Sequence, residues 1–109
     1  MSDSHVPEVE PTQVPENGFL LDVREPEEWS AGHAPQATHI PLGQLAGHAG
    51  DIPVGQHIYV VCRSGGRSAQ ATQALNEGGW QASNVSGGMQ QWAAAGRAMT
   101  GAGNEPYVA

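Results

Sequence analysis

Four short segments that contain buried-type apolar residues are spaced along the chain, and each is bounded by glycine, proline or other turn-forming residues. Short segments of this kind, flanked by turn-forming residues, are typical of buried β-strands. The third segment, Ile58–Val61, is almost continuously apolar and is followed by a cysteine. The predicted strands are Phe19–Val23, Ala37–Ile40, Ile58–Val61 and Trp80–Val85.

Helical spacing of apolar residues separates these runs. Pro26 with acidic neighbours is typical of the first turn of a helix. We expect this helix to be short and to end near Gly32. Leu42, Leu45 and Ala46 predict a further short helix. Two later helices are predicted from one-sided apolar positions, the first by Ala71, Ala74, Leu75 and Gly78, the second by Met89, Trp92 and Ala93. Strands that alternate with helices predict an α/β fold, with a parallel sheet covered on both faces.

The ends of the chain have a different composition from its centre. In residues 1–13, Val6–Glu10 is a candidate edge strand, and Pro11–Val14 a single helical turn. We expect the compact domain to span 14–97. From 98 to 109 the residues are small and polar, which predicts a flexible tail.

Composition and charge narrow the classes of partner. The chain has 109 residues, enough for one modest domain, and a formal net charge of −7. Its four basic residues are all arginine. This balance disfavours binding to nucleic acid or to anionic membranes, which needs basic patches. No apolar run is long enough to span a bilayer, and the polar N-terminus lacks a secretory signal, so we expect a cytoplasmic location.

The single cysteine, Cys62, stands at the end of a predicted strand and just before a predicted helix. Unpaired N–H groups at a helix N-terminus favour an anion, and Arg63 and Arg67 add positive charge. In such settings the pKa of a thiol falls from about 8.5 to between roughly 3.5 and 7.5. A lone cysteine can also be a small buried hydrophobe. The polar, glycine-rich residues that follow do not build a core, so an activated nucleophile is the favoured interpretation, with a retired, inactive site as the alternative.

Three stretches together resemble the rhodanese (sulfurtransferase) family. They are Leu21–Trp29, which continues to Gly32-His33 and Ile40-Pro41, then Cys62–Ser68, and finally Asn84–Trp92. The order and spacing are similar to those of a single-domain member, whereas Ala34 and Gln36 depart from the usual pattern. The resemblance implies a three-layer fold with a mostly parallel central sheet and helices on both faces.

The resemblance also implies a chemistry. Cys62 would take a sulfane sulfur from a donor such as thiosulfate, hold it as a persulfide, and pass it to cyanide or a thiol. A protein sulfur carrier is a further candidate partner. The sulfur would be surrounded by N–H groups of the loop residues Arg63, Ser64, Gly65, Gly66, Arg67 and Ser68. We expect positive φ at Gly65 and Gly66, where the loop curls.

Other functions remain open at this point. A cysteine phosphatase or arsenate reductase also uses a cysteine loop before a helix, but the phosphatase signature has five residues between cysteine and arginine, and here four separate Cys62 from Arg67. A non-catalytic interaction module is a second alternative, although inactive rhodanese domains usually lack the cysteine. The five histidines are scattered without metal-ligand spacing. We therefore predict neither a metal nor a cofactor.

Two charged residues near the first central strand are expected to support the site. Asp22 is interpreted as a buried carboxylate that pairs with an arginine of the loop, with Arg67 as the candidate. Arg24 is interpreted as a structural ion-pair partner. Arg63 is expected to point outward, toward an arriving donor.

Overall fold

The computed structural model describes residues 6–101 and 105–109, and within them five strands form one sheet. The strands are β1 (Glu8–Val9), β2 (Phe19–Asp22), β3 (Ala37–His39), β4 (His57–Val61) and β5 (Gln81–Val85). All neighbouring strands are parallel, in the order β1-β5-β4-β2-β3. Parallel strands need crossover connections, and the segments between the predicted strands supply them.

In the described part of the chain, three α-helices and three 3₁₀ segments lie between the strands or after β5. The α-helices are α1 (Pro26–Ala31), α2 (Gly66–Glu77) and α3 (Gly88–Ala94). The 3₁₀ segments are Pro11–Gln13, Leu42–Gln44 and Ala46–Asp51. The segment at Leu42–Ala46, where the sequence predicts a short helix, instead forms the segment Leu42–Gln44 and the start of Ala46–Asp51.

The sheet separates two hydrophobic layers. On one face, α2 packs its buried Ala71 and Leu75 against residues of β4 and β5 such as Ile58 and Ala82. On the other face, Met89 and Trp92 of α3 pack against Leu20, Val61 and Val85 of the strands. The predicted α/β fold with a parallel central sheet and helices on both faces is therefore confirmed.

The two terminal segments contact this core. β1 is an edge strand that pairs only with β5 in the described part of the chain. Residues after 97, expected to form a flexible tail, make backbone contacts where they are described. Thr100 exchanges two hydrogen bonds of 2.8 Å with His33, and the N–H of Tyr107 donates to the carbonyl of Ala31 at 3.0 Å. Thr100 and Tyr107, both in the predicted tail, thus lie beside the end of α1 and the residues that follow it.

Candidate active site

Cys62 follows β4 directly and lies at the carboxyl edge of the sheet, where parallel α/β sheets bind ligands. Its side chain is 1% exposed. The Sγ atom accepts a hydrogen bond from the backbone N–H of Gly65 at 3.1 Å and lies 3.2 Å from the hydroxyl oxygen of Ser68. The loop and the first turn of α2 therefore curl around the sulfur.

The pKa of the Cys62 thiol reflects two opposed effects. Burial raises it and is the largest single effect. The hydroxyl of Ser68 lowers it, as do the backbone N–H groups of Ser68, Gly65 and Ser64, and together they outweigh burial. The pKa of Cys62 thus lies below the ordinary value for a thiol. A lower pKa enlarges the fraction of thiolate, which is the nucleophilic form.

The two loop glycines have different roles. Gly65 has a φ of 116°, a left-handed conformation that a side chain would strain. Gly66 is the first residue of α2 and lies outside the left-handed region, so the prediction of positive φ at Gly66 is wrong. The physical reason is that the helix already begins there. A Cβ at Gly66 would meet nothing within 4 Å, so this position leaves open space beside the loop.

The start of α3 holds the cysteine loop from its carbonyl side. The N–H of Met89 donates to the carbonyl of Cys62 at 2.8 Å, and that of Gln90 donates to the carbonyl of Arg63 at 3.1 Å. Gly88 makes this approach possible, because a Cβ at this position would lie 2.5 Å from the carbonyl oxygen of Cys62. Two otherwise unpaired donors of α3 are thereby satisfied by the loop.

Arg67 pairs with Glu28 of α1 through two parallel hydrogen bonds of 2.7 and 2.8 Å. This hydrogen-bonded guanidinium lowers the pKa of Glu28 to about 2, and the carboxylate raises the pKa of Arg67. The predicted pairing of Arg67 with Asp22 is wrong. Asp22 is already occupied by another arginine, and Glu28 of the first helix reaches Arg67 instead.

Asp22 and Arg24 form an ion pair that is fully buried. Arg24 Nε lies 3.0 and 3.1 Å from the two carboxylate oxygens of Asp22, and Nη2 lies 2.8 Å from Oδ2. Nη2 also donates to the carbonyl of Gly32 at 2.7 Å. This pair fastens the end of β2 to the end of α1, and thereby orders the helix that carries Glu28.

Arg63 has an exposed side chain on the outer side of the loop. Its Nε donates to the backbone carbonyl of Ala109 at 3.0 Å. The last described residues of the chain therefore reach the loop next to Cys62. Sequence reasoning missed this contact, because the composition of the C-terminal segment carries no sign of it.

Three further residues near the cysteine were not singled out as supporting the site: Glu28, Asn84 and Gly88. Asn84 is 2% exposed and lies near the end of β5, where its Oδ1 is 2.5 Å from the Ser68 hydroxyl oxygen. A signal was available in principle, because an asparagine in a strand of buried residues needs hydrogen-bond partners.

The four histidines that the structure describes take part in packing and hydrogen bonding. The ring of Trp29 is stacked with those of His33 and His39, at centroid distances of 3.5 and 4.7 Å. The rings of His33 and His39 also hydrogen-bond to the carbonyls of Trp29 and Arg24, and those of His48 and His57 to the side chains of Asp51 and Ser83. Across residues 6–101 and 105–109, no three His, Cys, Asp or Glu side chains form a group that could hold a metal ion. The same residues contain no helix long and apolar enough to cross a membrane.

The sequence model of the rhodanese-like domain family matches residues 9–95, so the chain belongs to this family. Named sulfurtransferases are among its relatives. It is 37% identical over 83 residues to "Putative sulfurtransferase YtwF" of Bacillus subtilis (strain 168), covering 76% of this chain and 81% of that protein. It is 34% identical over 79 residues to a sulfurtransferase of Allochromatium vinosum, covering 72% of this chain and 74% of that protein.

Longer proteins and solved structures show the same likeness. "Putative sulfur carrier protein YrkF" of Bacillus subtilis (strain 168) is 39% identical over 74 residues, which cover 67% of this chain and only 40% of that protein. A crystal structure of a rhodanese-related protein from Thermoplasma volcanium superposes with a TM-score of 0.81 at 29% identity, covering 86% of this chain and 97% of that one. The resemblance stated from the three motifs is confirmed, and sulfurtransferase-type activity is supported by the relatives' names.

Proposed function

We propose that this protein is a sulfurtransferase that carries a sulfane sulfur on Cys62. The observation that carries the proposal is the hydrogen-bonded cradle around its Sγ, with a thiol pKa below the ordinary value. A thiolate held by N–H and O–H donors is a ready nucleophile toward a soft sulfur atom. Donors that face a large sulfur anion would also hold the product of that attack.

With thiosulfate as donor, the reaction has two steps. The Cys62 thiolate attacks the outer sulfur of thiosulfate, a new S–S bond forms, the S–S bond of thiosulfate breaks, and sulfite leaves with the electron pair. The product is a persulfide whose negative charge lies on the outer sulfur. Cyanide or a thiolate then attacks that outer sulfur, and the electron pair of the broken S–S bond returns to Cys62. No external oxidant or reductant is needed.

The loop residues have separate parts in this proposal. The N–H groups of Ser64, Gly65 and Ser68 face the sulfur, and Gly65 and Gly66 leave room around it. Arg63 would attract a dianionic donor, because the protein as a whole carries a net charge of −7 and repels anions. Arg67 would brace the first turn of α2 against Glu28, while Asp22 and Arg24 order the support. Because one relative is named a sulfur carrier, we include protein persulfides among the candidate donors and acceptors. A reducing compartment such as the cytoplasm would keep the thiol free.

The test is covalent and kinetic. After incubation with thiosulfate, mass spectrometry should find one added sulfur atom on Cys62, and cyanide should remove it. Cys62→Ser should abolish thiosulfate:cyanide transfer and leave the thermal melt near that of the parent, since the two side chains differ by one atom. Substantial transfer by the serine variant would show that Cys62 is not the sulfur carrier.

The same assays separate the alternatives. Turnover of an aryl phosphate that exceeds sulfur transfer and is lost in Cys62→Ser would favour the phosphatase interpretation. The four-residue spacing between Cys62 and Arg67 makes us expect marginal turnover at most. A protein with neither activity and no added sulfur would favour a non-catalytic interaction module.

A further inference from the structure

The hydroxyl of Ser68 faces two acceptors at once. Its oxygen is 2.5 Å from Asn84 Oδ1 and 3.2 Å from Cys62 Sγ. All three residues are buried, with exposed fractions of 0% for Ser68, 2% for Asn84 and 1% for Cys62. A hydroxyl carries one hydrogen, so Ser68 can donate to only one of these atoms at a time.

The orientation of the Asn84 amide follows from its other contacts. Its Nδ2 lies 3.1 Å from a carboxylate oxygen of Glu8 and 3.2 Å from the carbonyl oxygen of Gly65. Both atoms are acceptors, so the NH₂ group faces them and Oδ1 faces Ser68. Asn84 therefore presents an acceptor to the hydroxyl and cannot donate to it from this side.

We propose that Asn84 is a positioning residue that competes with Cys62 for the Ser68 hydrogen. When the sulfur at Cys62 is uncharged, the hydrogen stays on the shorter contact to Asn84. When Cys62 is a thiolate, the hydrogen turns to the sulfur, because a charged acceptor binds it more strongly, and Asn84 Oδ1 loses its partner. The competition works against the thiolate and sets how much of it forms at a given pH.

A consequence for the persulfide rests on the proposed function. In a persulfide the negative charge lies on the outer sulfur, and the inner Sγ is no longer charged. The Ser68 hydrogen then returns to Asn84. Asn84 thereby favours the loaded state over the free thiolate, which is the direction in which the first step of sulfur transfer runs.

The charged groups around this network do not take part in the competition for the Ser68 hydrogen. Glu8 contacts the far end of the Asn84 amide. Arg67, next to Ser68, is held by Glu28, and Arg63 is exposed. On the neighbouring strand β2, the buried carboxylate is neutralised by its own arginine, as described above. Replacing Asn84 by alanine removes the competing acceptor and leaves each of these charges in place.

The first experiment is a double-mutant cycle on the pH midpoint of Cys62 alkylation. Asn84→Ala should lower the midpoint by roughly half a unit to one unit, because the hydroxyl is then free for the thiolate. Ser68→Ala should raise it. In the Ser68→Ala background, Asn84→Ala should have no further effect, since Asn84 acts through the hydroxyl. An unchanged or raised midpoint in Asn84→Ala, or the same shift with and without Ser68, overturns the proposal.

The second experiment uses the unsubstituted protein and does not depend on the variants folding. The NMR signals of the Asn84 side-chain amide should titrate with the midpoint of Cys62 alkylation, and should return toward their low-pH position when Cys62 is loaded with sulfur from thiosulfate. Asn76 is the matched control, because its amide is held by the backbone of Ala82 at both ends. Glu8→Gln removes the neighbouring carboxylate, and the titration should persist in it.

An Asn84 amide that is silent through the alkylation midpoint overturns the proposal. The outcome is separable from that of the proposed function. If thiosulfate adds no sulfur to Cys62, the sulfur-transfer proposal fails, while the amide titration still reports whether Asn84 competes with the thiolate.

Discussion

Replacing Gly88 by alanine tests whether the start of α3 holds the cysteine loop in place. Gly88 has a φ of +60°, and in this conformation a residue with a Cβ is disfavoured by roughly 1–2 kcal/mol. The added Cβ would also lie 2.5 Å from the carbonyl oxygen of Cys62 and 2.6 Å from the carbonyl carbon and oxygen of Arg63. These are backbone atoms, which cannot rotate away, and overpacking of this kind typically costs about 1–3 kcal/mol.

The two costs together predict a free energy of unfolding lower by about 2–5 kcal/mol in Gly88→Ala. At about 4 °C per kcal/mol for a domain of this size, the melting temperature should fall by roughly 8–20 °C. Any folded fraction should also alkylate Cys62 more slowly at neutral pH, because the loop must move to admit the methyl group. Urea unfolding, a thermal melt and iodoacetamide kinetics measure these effects.

Two other glycines separate the costs. Gly96 has a φ of +77° and open space where a Cβ would stand, so Gly96→Ala should be destabilised only by the cost of placing a side chain at positive φ. Gly47 lies outside the left-handed region and is equally open, so Gly47→Ala should change stability by no more than about 0.5 kcal/mol. If Gly88→Ala is no less stable than Gly96→Ala, the close approach of α3 to the loop is not what restricts this position.

Two further predictions concern charged residues. Because Arg67 lowers the pKa of Glu28 from 4.5 to about 2, this carboxylate stabilises the fold fully above about pH 4.5, and the contribution is lost as the pH falls through about 2. Glu28→Gln should therefore cost on the order of 1 kcal/mol at neutral pH, allowing for partial solvent screening, and very little well below pH 2, measured by urea unfolding across pH. The exposed Glu27→Gln on the same helix is the control, and an equal pH-dependent loss there would contradict the assignment. Arg63→Ala should raise the KM for thiosulfate, leave kcat nearly unchanged and weaken the salt dependence of kcat/KM. Steady-state kinetics at two salt concentrations check this, and an unaltered KM with an unaltered salt response would remove Arg63 from donor binding.

The order of strands and helices could be predicted because each apolar run had an unambiguous length and clear turn residues around it. Cys62 could be placed at the edge of the sheet for the same reason, since a strand leads into it and a helix follows. The partner of Arg67 could not be predicted. Asp22 and Glu28 are both acidic residues of one stretch, and which of them reaches the loop depends on the packing of α1 and on the buried pair with Arg24.

Backbone contacts were the other part that the sequence concealed. Thr100 and Tyr107 bind His33 and Ala31 through main-chain atoms, so their side chains carry no sign of these contacts. The backbone conformation of Gly66 could not be predicted either. In a glycine-rich loop, the sequence does not distinguish a glycine with positive φ from one that begins a helix. Asn84 belongs to the third motif, but its contact with Ser68 depends on the packing of α2 against β5.

The short edge strand β1 has a consequence for local opening of the structure. It comprises only Glu8 and Val9, it joins the sheet next to β5, and its Glu8 meets Asn84 across 76 positions of the chain. Closing so long a loop is entropically costly, and short edges detach at lower free energy than the interior of a sheet. Brief detachment of β1 would free the Asn84 amide from Glu8 and leave the hydrogen bond from Gly65 to the sulfur unbroken. The reactivity of the thiol would then fluctuate with the detachment of a strand far away along the chain, without any unfolding of the loop that holds it.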